Sequence, residues 1–233
     1  RLIKMLDVKD DHLVVEEKGL LSIENFLNAR RLMYWQVYLH KTLMSTQAML
    51  TQILNRAREL TKAGTVLFAT PDLQLFLNTK FVLQDFYDRP ELLVAFNNLD
   101  DHDIWVSVKV WTNHEDSILS NLCGSLLNRN LFKIMFLTTP PTAELIDSLK
   151  DKLIESGVPV AEIPYYIVSG ETNNYAYEKE SDPILVKMKN GDLLNITDAS
   201  DIPTIEALTK IVRKFYVCWG KNVSLRHEPR SHF

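Results

Sequence analysis

Glycine is scarce in this chain. Only seven of its 233 residues are glycine, and none belongs to a Walker A or Gly-rich phosphate loop. A phosphate-cradling backbone loop is therefore not the basis of any activity here. Cysteine is scarcer still. Cys123 and Cys218 stand far apart, too few for a disulfide framework and suited to a reducing cytoplasm, the expected location. No apolar run approaches the ~18 residues of a membrane span, and no signal-peptide pattern is seen. Positive charge is not in surplus: 26 Lys and Arg face 30 Asp and Glu, for a net charge of -4. That balance argues against a dedicated nucleic-acid binder, while leaving room for a small basic pocket. The two N-x-S/T triplets, Asn195-Ile196-Thr197 and Asn222-Val223-Ser224, are read as incidental.

Catalytic signatures are also wanting. There is no G-x-S-x-G elbow, and neither cysteine has a recognisable catalytic context, so both read as buried small apolar residues. Among His12, His40, His102, His114, His227 and His232, no two stand three or four residues apart. A metal site needs several such ligands converging with defined geometry. The adjacent pair His102-Asp103 sits in an acidic cluster, Asp100-Asp101-His102-Asp103, before an apolar helix. It reads as an N-cap with carboxylates at the positive helix end rather than as a ligand pair. On residue chemistry alone the chain has no complete active site, and no metal ligands are assigned.

What is present is enough apolar material, 46% of residues, for a real core. Leu2–Leu6 and Leu13–Glu17 flank a polar stretch and predict an N-terminal β-hairpin over 1–18. Ser22 is the expected N-cap of a helix. Apolar residues then recur at helical spacing from Ile23 to Leu60, about 40 residues or roughly 60 Å as one straight helix. That length predicts a bend near Thr42–Ser45, with Gly64 as C-cap. Helices beginning near Pro71, Pro90, Asp100 and Ser117 complete a helical region over 19–127.

Beyond Asn128 the pattern alternates. Strands are expected at 131–137, 165–169, 184–188, 193–196 and 214–219, with helices at 143–155 and 204–212. Asn190-Gly191-Asp192 is a hairpin turn. The fold class is α+β: a hairpin, a helical bundle segment, and over 128–220 a small antiparallel or mixed sheet with helices on one face. A frayed tail is expected over 221–233.

One helix concentrates basic and aromatic side chains. Arg30, Tyr34, Tyr38 and Lys41 step by four, four and three, which places them on one helical face. Arg30 suits a forked phosphate contact, Lys41 a point charge, and Tyr38 a sugar hydroxyl or a base. The competing reading is a packing face, with aromatics in the core and the cations in ion pairs.

Ile23-Glu24-Asn25-Phe26-Leu27-Asn28-Ala29-Arg30 and Met33-Tyr34-Trp35-Gln36-Val37-Tyr38-Leu39-His40-Lys41 resemble the helix after the catalytic core in HD-domain deoxynucleoside triphosphate triphosphohydrolases. The family's pattern is an Arg, a Tyr eight residues on, then x-His-Lys. Asn128-Arg129-Asn130-Leu131-Phe132-Lys133 is similar to the family's Tyr-Arg-Asn-Leu-Phe-Lys element. The resemblance is to the C-terminal region of the bacterial members. It implies that Arg30 reaches a substrate triphosphate and Tyr38 the sugar 3′-hydroxyl. Lys41, Arg129 and Lys133 match positions that bind effector nucleotides between subunits in regulated vertebrate members, and His40 receives no separate role. The family's metal-binding His, His-Asp pair and later Asp all precede the matched helix and have no counterpart here.

The chain also opens Arg1-Leu2-Ile3 without an initiator Met. It is therefore expected to be a fragment, inactive alone, with no cofactor of its own. The divalent metal would sit in a missing N-terminal HD domain. Expected partners are that domain, a nucleotide and further copies in a homo-oligomer, with no membrane and no specific nucleic acid. A regulatory or protein-interaction module without catalytic duty is the alternative.

Overall fold

A computed structural model describes residues 2–174, 183–201 and 212–221. The expected helix at 204–212 lies outside these residues except for Val212, as do His227, His232, the triplet at 222–224 and the tail at 222–233. The architecture is α+β, with two small sheets and a large helical part. Among the described residues, no helix is long and apolar enough to cross a membrane. The chain divides into two compact units: 1–43, 137–140 and 170–216 form one, and 44–136, 141–169 and 217–233 the other.

In the first unit, β1 (Leu6–Lys9) and β2 (His12–Glu16) form the N-terminal hairpin. Its turn is Asp10-Asp11, with φ of 52° and 62°. A two-residue turn that follows the strand twist needs both φ positive, and Asp tolerates this better than most residues. The first strand therefore lies later than expected, and Leu2–Met5 is a 3₁₀ turn instead. β2 pairs in parallel with β5 (Leu185–Lys187), and β5 pairs antiparallel with β6 (Leu193–Asn195). The sheet order is β1-β2-β5-β6. Asn190-Gly191-Asp192 makes the expected turn, with Gly191 at φ 91°.

Helix α1 (Leu20–Met33) covers this sheet. Val15, Ile23, Leu27, Val186 and Ile196 are its buried core, each contributing about 1.5–3 kcal/mol of burial. Ser22 is not the N-cap. Gly19 fills that place, because a 3₁₀ turn at Glu17–Gly19 runs directly into α1. A Cβ on Gly19 would stand 2.8 Å from Val15 Cγ1 and 2.9 Å from Met5 Cβ, so only glycine fits. Buried Glu24 accepts a hydrogen bond from the Ser200 hydroxyl, beside the short helix α10 (Ile196–Ala199).

The long periodic run is two helices. α2 (Lys41–Lys62) follows a break at Leu39–His40, a few residues before the expected bend. It stops at Gly64, φ 90°. The second unit continues with α3 (Pro71–Asn78), α4 (Leu83–Asp88), α5 (Pro90–Asn98), α6 (Asp101–Trp111) and α7 (Ser117–Leu127). Prolines open α3 and α5 as expected, whereas α4 has no such signal and was not anticipated.

β3 (Lys133–Leu137), α8 (Ala143–Glu155), α9 (Ile163–Tyr166), β4 (Ile167–Asn174) and β7 (Val212–Trp219) complete the elements. Tyr165 and Tyr166, expected in a strand, are helical behind Pro164, and the strand begins at Ile167. The second sheet has order β3-β7-β4. The start of β3 is pinned to α2: the Ser45 hydroxyl donates to the Phe132 carbonyl at 2.7 Å, and the Phe132 N–H reaches Met49 Sδ at 3.3 Å. Those contacts satisfy polar groups that burial would otherwise leave unpaired.

Candidate functional site

α1 does not end as an ordinary helix. Tyr34–Tyr38 form a π turn, in which the Leu39 N–H donates to the Tyr34 carbonyl at 2.8 Å, five residues back. Such turns are rare and recur at functional sites. Arg30 lies in the last turn of α1, with its guanidinium 5.8 Å from the centre of the Tyr34 ring. The Tyr34 and Tyr38 rings are 4.9 Å apart and tilted by 57°. The four-residue steps therefore bring Arg30, Tyr34 and Tyr38 into one stack.

Lys41 departs from that arithmetic. The interruption at Leu39–His40 ends helical spacing before it, and Lys41 is the first residue of α2. His40 has a local duty that the sequence reading did not assign: its Nδ1 accepts from the Thr42 N–H at 3.2 Å, at the opening of α2.

The stack is open. Arg30 and Tyr38 are exposed, and Tyr34 is half-buried. Among the described residues Arg30 has no carboxylate partner. Leu32, Met33 and Val37 are also about half exposed, so polar and apolar side chains share this surface. Beside it, Lys214 Nζ stands 4.0 Å above the centre of the Trp35 ring.

In the second unit Arg129 is exposed and Lys133, the first residue of β3, is half-buried. Arg129 sits at φ 56° just past the end of α7, where its N–H donates to the Leu126 carbonyl at 3.2 Å. That left-handed position ordinarily favours Gly or Asn, and a larger residue there carries strain.

His102 and Asp103 form a helix cap. Asp100 Oδ1 accepts from the His102 N–H at 2.7 Å, and Asp103 Oδ2 accepts from the Asp100 N–H at 2.8 Å. The His102 backbone N–H, and then its ring, hold the Asp100 carboxyl below the usual carboxylate range. This reciprocal arrangement is a capping box. Among the described residues, no three His, Cys, Asp or Glu side chains converge as a metal site would require.

Sequence reading missed a polar cluster in the second unit. Arg56 on α2 donates to both oxygens of Asp116, at 3.1 and 2.5 Å. Its Nη1 also donates to Glu59 at 3.2 Å and to the Tyr165 hydroxyl at 3.1 Å, and the Tyr165 hydroxyl donates to Glu59. Asp116 caps α7 by accepting from the Leu119 N–H at 2.8 Å. Arg56 holds the Asp116 carboxyl below its ordinary range. Burial, then the Glu59 bond, raise the Tyr165 hydroxyl. The cluster ties α2, α7 and α9 together and leaves little for a ligand. Arg56 and Glu59 are three residues apart on α2, but no sequence spacing ties them to Asp116 and Tyr165. Burial likewise pushes the Cys123 and Cys218 thiols up to about 12, so both stay protonated and inert.

Residues 1–80 match the family model described as the HD associated region. The chain is similar to a crystal structure described as a phosphohydrolase from Bacteroides thetaiotaomicron. Identity is 44% and the TM-score is 0.83, over 94% of this chain and 55% of that one. It also resembles a hypothetical protein from Aquifex aeolicus at 22% identity and a TM-score of 0.56, over 94% of this chain and 47% of that one. That second likeness speaks to the fold alone. Among curated proteins, the uncharacterized YwfO of Bacillus subtilis is 28% identical over 210 residues, 87% of this chain and 46% of that protein. The uncharacterized MG461 of Mycoplasma genitalium is 25% identical over 199 residues, 81% of this chain and 44% of that protein. The chain spans about half the length of these curated relatives.

Proposed function

We propose that this chain is the C-terminal part of a longer HD-domain phosphohydrolase acting on a nucleoside triphosphate, and that the Arg30–Tyr34–Tyr38 stack is a wall of its substrate pocket. The HD associated region match and the likeness to a phosphohydrolase support an HD-associated phosphohydrolase family and a role associated with that activity. The observation that carries the finer reading is the stack itself. It is open, holds a cation with no carboxylate among the described residues, and lies inside the matched residues 1–80.

Arg30 would fork onto phosphate oxygens, a charge-assisted contact stronger than a neutral one. Tyr38 would offer its hydroxyl to the sugar. Lys41 in the first unit, and separately Arg129 and Lys133 in the second, would serve effector-nucleotide binding, and the strained backbone at Arg129 favours a task for that side chain. The metal-binding residues would belong to an N-terminal HD domain, which would also cover the half-exposed Leu32, Met33 and Val37. A cytoplasmic setting belongs to the same reading.

The alternative is a non-catalytic regulatory or interaction module. It draws on a different surface: Leu83 and Tyr87 on α4 and Leu93 and Phe96 on α5 are all at least half exposed, the kind of apolar patch that marks a protein contact. A homo-oligomer contact there is compatible with both readings.

The test is product analysis. The longer protein with a divalent metal is expected to release inorganic triphosphate from a deoxynucleoside triphosphate, whereas the 233-residue chain alone releases none. Metal-dependent turnover by the chain alone overturns the proposal, and so does a longer protein that hydrolyses no nucleotide.

A further inference from the structure

The second unit holds a cavity of about 350 Å³ that the reading above does not use. Its wall comes from five stretches of chain, one of them Asn130 and Phe132 just before β3. Asn121 and Ser125 are one turn apart on α7. Leu153 and Gly157 bring the C-terminal end of α8. Glu162 and Tyr166 lie four residues apart across α9. Gly220 and Lys221 follow β7. Phe132 forms part of the interior, with its ring centre 6.3 Å from that of Tyr166.

The charge of this wall is specific. Glu162 has no ion-pair partner among the described residues; Ser117 donates a hydroxyl hydrogen bond to its Oε1 at 3.3 Å. The Phe132 and Tyr166 rings line the cavity, and aromatic rings attract cations. The end of α8 adds the negative pole of a helix. Burial first, and the charge of Glu162 second, raise the Tyr166 hydroxyl, so it stays a neutral hydrogen-bonding group, and the Asn121 amide bonds to it. Three features thus favour an ammonium group. Among the described residues Lys221 supplies the only positive side chain in the wall, and it is exposed.

Gly157, at φ 93°, has nothing within 4 Å of where a Cβ would stand, so that side is open. The volume lies at the lower end of the range for ligand pockets, roughly 300–1,000 Å³. It suits a molecule of a few carbons.

We infer that this cavity binds a small zwitterion, an amino acid or ω-amino acid, with its ammonium between the Glu162 carboxylate and the Phe132 and Tyr166 rings and its carboxylate toward Lys221. The assignment is independent of the hydrolase reading, since none of these residues belongs to the Arg30 stack.

The experiment uses the 233-residue chain. The standard amino acids and γ-aminobutyrate are screened singly by thermal shift, and hits are titrated by calorimetry, with n-propylamine and propionate as single-charge controls. At least one zwitterion is expected to raise the midpoint by about 2 °C at saturation. Glu162→Gln should weaken it by about tenfold or more while leaving the fold intact by circular dichroism. Lys221→Ala should weaken the zwitterion but not n-propylamine, and propionate alone should not bind. The inference falls if no zwitterion binds, if Glu162→Gln binds as tightly as the parent chain, or if propionate binds as well as the zwitterions.

Discussion

Two arginine–tyrosine groupings stand in this chain, and they are opposites. Arg56 and Tyr165 are locked. The guanidinium is held by Asp116 and Glu59, and the phenol donates to Glu59. Arg30, Tyr34 and Tyr38 share the residue types but lie open, with ring contacts and no carboxylate among the described residues. A satisfied Arg–carboxylate pair spends its hydrogen-bonding capacity on the fold. An exposed arginine over a tyrosine keeps its donors for something else. Residue type therefore does not separate the two groupings; among the described residues, the presence or absence of a carboxylate does.

That contrast can be broken by mutation. Asp116→Ala has the largest expected effect on stability, about 2–3 kcal/mol, because it strips the main partner from a half-buried Arg56 and uncaps α7. Denaturant unfolding of the chain reads it. The same pair sets a pH dependence. The folded pKa of Asp116 lies below its unfolded value, so its contribution is full at neutral pH and is lost as pH falls below about 4. Thermal midpoints from neutral to acid pH should fall less steeply in Asp116→Asn than in the parent chain.

Gly19→Ala follows, at about 1–3 kcal/mol, from overpacking against Val15 and Met5. Arg129→Gly goes the other way and should stabilise by about 1 kcal/mol by relieving the left-handed backbone. Arg30→Ala should be smallest, below about 0.5 kcal/mol, as expected of an exposed side chain with no ion pair among the described residues. A loss at Arg30 as large as that at Asp116 would erase the distinction between the two groupings.

Local signals carried much of the fold. Pro71, Pro90, Gly64 and Gly191 sit where their backbone chemistry places them, and the Asp100–Asp103 cluster caps a helix as its pattern suggests. Errors fell where neighbours in space decide. Ser22 looked like a cap, but the packing of Gly19 against Val15 and Met5 fixes the helix start earlier. Lys41 lies in step with Arg30, Tyr34 and Tyr38 on a continuous helix, and the break at Leu39–His40 removes the continuity that the spacing assumed. The parallel pairing of β2 with β5 joins strands some 170 residues apart, and no local pattern encodes it. The Arg56 cluster and the Glu162 cavity were illegible for the same reason. The stack at Arg30, by contrast, was legible because its members are four residues apart along α1 and the π turn that continues it.

The most direct test of the account is steady-state kinetics of Arg30→Ala in the longer protein, with inorganic triphosphate release as the readout and unfolding measured alongside. The account predicts a fall in kcat/KM of about 100-fold with stability unchanged, the size expected for losing a charge-assisted phosphate contact. A kcat/KM within about twofold of the parent, in a folded variant, would contradict the assignment of this helix face to the substrate.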